Sequence, residues 1–182
     1  MIKEFEKRLI TSFILIPISI FFIFKGSIFF IFFLSILFLA SSYEWSLMNK
    51  KKNLLKFLGI IFLFFSFYSA SSLRDTLGLE FFLFIICICI FTDIGGYVFG
   101  KFLKGPKLTK ISPNKTYAGV AGGFILSLIT GLIFLKISED NLFNNYKIKF
   151  LIFTFLISLI SQIGDLIISY FKRKAKVKDT GK

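Results

Sequence analysis

The chain contains no histidine, which removes the usual general base near neutral pH and the commonest transition-metal ligand. Its two cysteines, Cys87 and Cys89, both lie inside an apolar run. Neither a disulfide framework nor a zinc cluster fits there, and the pair reads as small apolar fillers. Tryptophan occurs once, and acidic residues number only 10 against 23 lysines and arginines. The resulting net charge of +13 raises the question of nucleic acid. That partner is excluded by distribution, because the basic residues fall between apolar segments rather than on one soluble face. Chemistry in such a chain must rest on carboxylates, lysines, hydroxyls and a hard, oxygen-loving cation.

What is abundant is hydrocarbon. Of 182 residues 55% are hydrophobic, 28 of them phenylalanine, whereas a soluble domain has an apolar share of roughly 45–50%. Hydrophobic runs recur along most of the length, so residues 1–182 read as one integral membrane domain. About six spans can be drawn, near residues 9–24, 27–43, 54–73, 81–98, 117–135 and 148–171. Each must be helical, since hydrocarbon offers no water to an open backbone. The expected fold is therefore an all-α, polytopic transmembrane helix bundle. The first two spans are short for a crossing, and Lys25-Gly26 is the only break between them, which predicts a tight hairpin. A cleaved signal peptide is the rival reading of the first span, but no small-x-small cleavage pattern follows it.

Orientation follows from the lysines. With the N-terminus inside, all but five of the basic residues (Lys25, Arg74, Lys136, Lys147 and Lys149) fall in cytoplasmic segments. The positive-inside rule then places both termini in the cytoplasm. The basic loop 101–116 lies on the same side, and the expected location is the cell inner membrane.

Two aspartates interrupt these apolar runs. Asp93 lies within Phe81–Val98 and Asp165 within Ile148–Phe171. A charge at bilayer depth costs about 2.5–3.5 kcal/mol by insertion scales, so it survives where it faces water, a cation or a partner. Thr154, Ser158, Ser161, Asp165, Ser169 and Lys172 share one helical face. The hydroxyls alone read as a polar packing seam, but a seam rarely needs a carboxylate. Cys89, Asp93, Gly96, Tyr97 and Gly100 cluster similarly, with a kink at Gly95-Gly96 as the plainer alternative. Gly119, Gly123, Ser127 and Gly131 form a small-residue packing edge.

Between the fourth and fifth spans, Ser112-Pro113 reads as an N-cap and first helical residue, which puts Lys115 in the first turn. A cation there opposes the macrodipole unless an anion binds beside it. Lys172, Arg173, Lys174, Lys176 and Lys178 leave the last span as a basic cluster suited to anionic headgroups. Asp179 stands among them without a part to play in a purely basic tail.

These segments resemble the phosphatidate cytidylyltransferase (CDP-diacylglycerol synthase) family. Asp93-Ile-Gly-Gly-Tyr-Val-Phe-Gly-Lys101 is similar to its Asp-Thr-Gly-Ala-Tyr segment, and Ile111-Ser-Pro-Asn-Lys-Thr116 to its Ile-Ser-Pro-Lys-Lys-Thr segment. Gly164-Asp-Leu, Lys172-Arg173 and Val177-Lys-Asp-Thr-Gly181 match the opening of its C-terminal signature. The three occur in the family's order over about half the chain. Three departures accompany them. The family's following His-Gly-Gly and Asp-Arg elements lie beyond Lys182, which gives the expectation of a shortened form or fragment. Ala118 and Ile168 stand where acids are usual.

The resemblance implies transfer of CMP from CTP to phosphatidic acid, giving CDP-diacylglycerol and pyrophosphate, with Mg2+ as cofactor and membrane lipid as surroundings. It implies Asp165, Lys172, Arg173 and Asp179 as catalytic residues, with Asp165 and Asp179 on the metal. Asp93, Ser112, Lys115, Thr116 and Lys178 would bind substrate. A homodimer is a further expectation. The competing readings are a CTP-dependent polyprenol or dolichol kinase, an inactive remnant, and a small cation transporter subunit. Transport requires acids near the bilayer midplane, whereas both aspartates lie nearer the predicted cytoplasmic ends of their spans.

Overall fold

In the computed structural model, the described residues are 2–50, 52–109, 112, 115–137 and 147–175, with the side chains of residues 2–10 left aside. Five helices account for nearly all of them: α1 (Ile2–Lys25), α2 (Ser27–Met48), α3 (Asn53–Leu103), α4 (Tyr117–Ile137) and α5 (Lys147–Lys174). α2, α3, α4 and α5 are each long and apolar enough to cross a membrane, and α1 adds a shorter apolar stretch, Thr11–Lys25. Many large apolar side chains lie open on these helices, among them Phe13, Ile28 and Phe62. Water would penalise such a surface and lipid would not. The chain is built as an integral membrane protein.

Between the third and fourth predicted spans α3 is interrupted by one non-helical residue, Gly78, at φ 85° and ψ 170°, where two helices meet across a kink. Just before the break, Thr76 donates its hydroxyl to the Ser72 carbonyl at 2.7 Å, a bond that favours bending of a helix. Gly95 and Gly96 keep helical geometry, so the kink lies at Gly78 instead.

The chain divides into two compact units, residues 1–82 and 83–182. In the first, α1 and α2 form the expected hairpin around Gly26, whose φ of 67° suits a residue without a Cβ. Phe22 stacks on Phe33 at 5.2 Å across it. Arg74 closes the turn: its Nε donates to the Ile23 carbonyl at 3.0 Å and its guanidinium lies 5.2 Å from the centre of the Phe30 ring. At the other end of α2, Trp45 donates its indole N–H to the Leu55 carbonyl at 3.1 Å. Gly59 leaves the room that ring needs.

In the second unit the latter part of α3 packs with α4 and α5. Phe84, Ile88, Leu135 and Phe150 are buried, with Phe84 ring centres 4.5 Å from Phe134 and 4.7 Å from Phe150. Nearer the basic loop the contact changes from phenylalanine to glycine. A Cβ on Gly95 would run into the Gly122 carbonyl, and one on Gly119 would lie 2.7 Å from the Gly96 carbonyl. Backbones thus touch where α3 and α4 cross, which is how small residues let membrane helices approach. The hydroxyl stripe of α5 serves partly as the expected seam: Thr154 and Ser158 are fully buried, Thr154 against Gly131 and Ser158 sharing a 2.9 Å hydrogen bond with Thr92.

Candidate active site

Beyond the glycine crossing the helices separate into a cleft of 240 Å³, lined by residues from α3, α4, α5 and the strand-like entry to α4. Asp93 and Tyr97 enter from α3, Lys115 and Thr116 from the loop end, and Gln162 and Asp165 from α5. Asp93, Lys115, Thr116 and Asp165, predicted from three separate motifs, therefore meet in one place.

The loop is held by three backbone bonds. Tyr117 N–H donates to the Pro106 carbonyl at 3.1 Å, Leu108 N–H to Lys115 at 2.8 Å, and Lys115 N–H to Ser112 at 3.0 Å. A single antiparallel bridge joins Lys107 and Thr116. Lys115 and Thr116 lie outside the helix in this closure, and α4 starts at Tyr117. The cap is Thr116, whose Oγ1 accepts the Gly119 N–H at 3.1 Å. The Ser112-Pro113 capping expectation is corrected accordingly. Ser112 instead donates its backbone N–H to Thr109 Oγ1 at 3.2 Å and is not in the cleft lining. Lys115 precedes the cap and has no unfavourable place in the first turn.

Freed from the helix, Lys115 reaches across to α5 and places its Nζ 2.9 Å from Asp165 Oδ2. The lysine side chain is 29% exposed and the aspartate 56%, so the pair faces the open side of the cleft. Asp93 lines the same cleft as this pair. Two carboxylates against one ammonium leave the lining formally anionic.

The remaining predicted residues fall elsewhere. Lys172 and Arg173 occupy the last turn of α5, two turns past Asp165, and do not line the cleft. Lys178 and Asp179 lie outside the described residues. Sequence reasoning missed Gln162 and Thr92, both in the lining. Gln162 stands three residues before Asp165 on the same face, and that spacing was the available signal. Cys87 and Cys89 are free thiols.

Among the described residues, no group of three or more His, Cys, Asp or Glu side chains could hold a metal ion alone. The donors fit a different situation. Magnesium commonly takes one or two carboxylates and fills its remaining positions with water and substrate phosphates, and Asp93 and Asp165 supply that number.

The chain is 42% identical over 106 residues to a phosphatidate cytidylyltransferase of Staphylococcus saprophyticus, covering 58% of this chain and 40% of that one. It is 41% identical over 127 residues to the protein of that name from Staphylococcus aureus strain COL, covering 69% and 45%. The chain thus spans less than half the length of these curated relatives. No solved structure matches it. The profile described as the cytidylyltransferase family matches residues 53–182, a range that takes in the glycine crossing, the loop and every side chain of the cleft. On that match the chain belongs to the cytidylyltransferase family.

Proposed function

We propose that the chain acts in CDP-diacylglycerol synthesis as a phosphatidate cytidylyltransferase. The observation that carries this reading is the convergence of Asp93, Lys115, Thr116 and Asp165 on one cleft at the basic-loop end of the helices. The printed names of its relatives point the same way.

In the proposed reaction an oxygen of the phosphatidate phosphate forms a bond to the α-phosphorus of CTP. The bond from that phosphorus to the β-phosphate oxygen breaks, and pyrophosphate leaves. Such a transfer depends on positioning and charge compensation more than on covalent help from the protein. Lys115 would give its ammonium to a phosphate oxygen, and Thr116 fixes the α4 terminus beside it. Asp93 and Asp165 would hold Mg2+ together with substrate phosphates. When bound, the cation would offset phosphate charge and so let two polyanions approach. An anionic lining that must accept a triphosphate supports this need for a cation.

Lys172, Arg173 and Lys178 would add cationic contacts from the end of α5, and Asp179 a further carboxylate, with Ser112 bracing the loop. For topology we propose six spans with both termini cytoplasmic, α3 supplying two spans on either side of Gly78, in a bacterial inner membrane. The lysine asymmetry supports that orientation. It also puts the cleft on the side where CTP is found.

The assay is direct: purified chain, CTP, phosphatidate and magnesium, with lipid product followed by chromatography. CDP-diacylglycerol should form and should fall at least about a hundredfold in Asp165→Asn. Turnover of a polyprenol in place of phosphatidate, or none of either with CTP still bound, would refute the assignment.

A further inference from the structure

Among the described residues, Lys115, paired with Asp165, is the one cation of the cleft lining. The reaction proposed above brings together two anions, and a second positive seat is needed. One stands at the edge of the cleft. Tyr97, 67% exposed, is the sole aromatic residue of the lining. One turn further along α3, Lys101 folds back over it, with Nζ 5.5 Å from the ring centre and 3.4 Å from the phenolic oxygen. Among the described residues Lys101 forms no ion pair. Its charge and the Tyr97 hydroxyl are thus presented together, on a ring that one side of the cleft shares.

We propose that Tyr97 and Lys101 form the seat for the phosphate monoester of the acceptor lipid. This inference rests on the transferase reading and adds to it the residues that hold the lipid phosphate. The ammonium supplies charge and the phenol a neutral donor to the same phosphate. The ring body lies at the end of an apolar helix, where an amphipathic tyrosine is at home with acyl chains on one side and headgroups on the other. On the same helix Gly96 and Gly100 lie against Gly119 and Thr116, so α3 and the start of α4 meet closely beside this edge.

Among the described residues the same pairing occurs once more, which provides an internal control. Lys174 lies 5.4 Å from the centre of the Tyr170 ring and 3.5 Å from its hydroxyl at the end of α5, outside the cleft lining. If such pairs only anchor helix ends at the membrane surface, the two should behave alike.

The test is native mass spectrometry of the full chain in detergent, counting adducts of phosphatidate and of diacylglycerol with the same acyl chains, with CTP affinity measured separately by calorimetry. Wild type should prefer phosphatidate. Lys101→Gln should weaken that binding about tenfold, the scale of a charge-assisted hydrogen bond. Tyr97→Phe should weaken it less, and Lys101→Arg should retain it. Lys174→Gln and Tyr170→Phe should leave it unchanged, and CTP affinity should hold in all five. Equal losses for the Lys101 and Lys174 variants would overturn the proposal in favour of surface anchoring. Loss of CTP binding alone would overturn it by giving the seat to the nucleotide. No preference for phosphatidate in wild type would also end it. A chain that binds lipid in this pattern yet makes no CDP-diacylglycerol would refute the reaction and leave the seat standing.

Discussion

Lys115 and Asp165 are separated by 50 residues of sequence and by 2.9 Å at their charged atoms. The contact ties the loop that opens α4 to the C-terminal half of α5. It is half-open to its surroundings, and this decides what it contributes. A pair of that exposure adds about 0–1 kcal/mol to stability, so its value lies in aim rather than in strength.

Separating stability from activity tests that statement. Asp165→Asn and Lys115→Met should each cost at least about a hundredfold in CDP-diacylglycerol formation, while shifting unfolding free energy by no more than about 1 kcal/mol. A double-mutant cycle followed by thermal denaturation in detergent gives the coupling. A coupling well above that figure would make the pair a structural strut.

The cap makes a sharper distinction between two nearby hydroxyls. Thr116→Ala removes the acceptor for the Gly119 N–H and should destabilise by about 1 kcal/mol, with Thr116→Ser close to neutral. Ser112→Ala should leave the start of α4 unaffected, because the Gly119 N–H is capped by Thr116. Equal melting shifts for Thr116→Ala and Ser112→Ala would contradict the observed cap.

Glycine substitutions should sort by what stands opposite. At Gly95 a Cβ meets the Gly122 backbone, which cannot swing aside. Gly95→Ala should therefore cost about 1–3 kcal/mol through forced separation of α3 and α4, and lower turnover by moving Asp93. Gly164 has nothing within 4 Å of the same position. Gly164→Ala should be neutral or gain up to about 1 kcal/mol of helix propensity. Thermal melts of the two variants side by side settle the ordering.

Arg74 should resist its usual conservative replacement. Its guanidinium bonds the Ile23 carbonyl while lying over the Phe30 ring, and its side chain is only 12% exposed. Arg74→Ala should destabilise by about 1–3 kcal/mol. Arg74→Lys should restore less than half, since an ammonium cannot both fork to the helix end and stack flat. Full rescue by lysine, read from melting, would reduce the residue to a point charge.

Much of this was legible in the chain itself, and the reasons differ by residue. Hydropathy located the apolar helices because each run is long. Asp93, Lys115, Thr116 and Asp165 stood out because charge or motif is conspicuous against hydrocarbon. The start of α4 was misread because Ser-Pro is a strong local signal, while the bonds that override it run from Leu108 to Lys115 and from Tyr117 to Pro106. Those depend on chain closure, which no local window displays. Gln162 was overlooked because an uncharged amide among serines looks like seam. Gly78 was passed over, and a kink at Gly95-Gly96 entered only as the plainer alternative, since tandem glycines attract attention and a lone one does not. Only the packing partner shows which glycine bends a helix and which lets another helix in.

The arginine at the first turn has a bearing on biogenesis. Residues 23, 24 and 26 find their fastener about fifty positions later, so the first two helices can enter the bilayer as a pair but cannot lock until a third has emerged from the ribosome and been threaded. The N-terminal hairpin is therefore closed from behind, by a latch that the cell makes last.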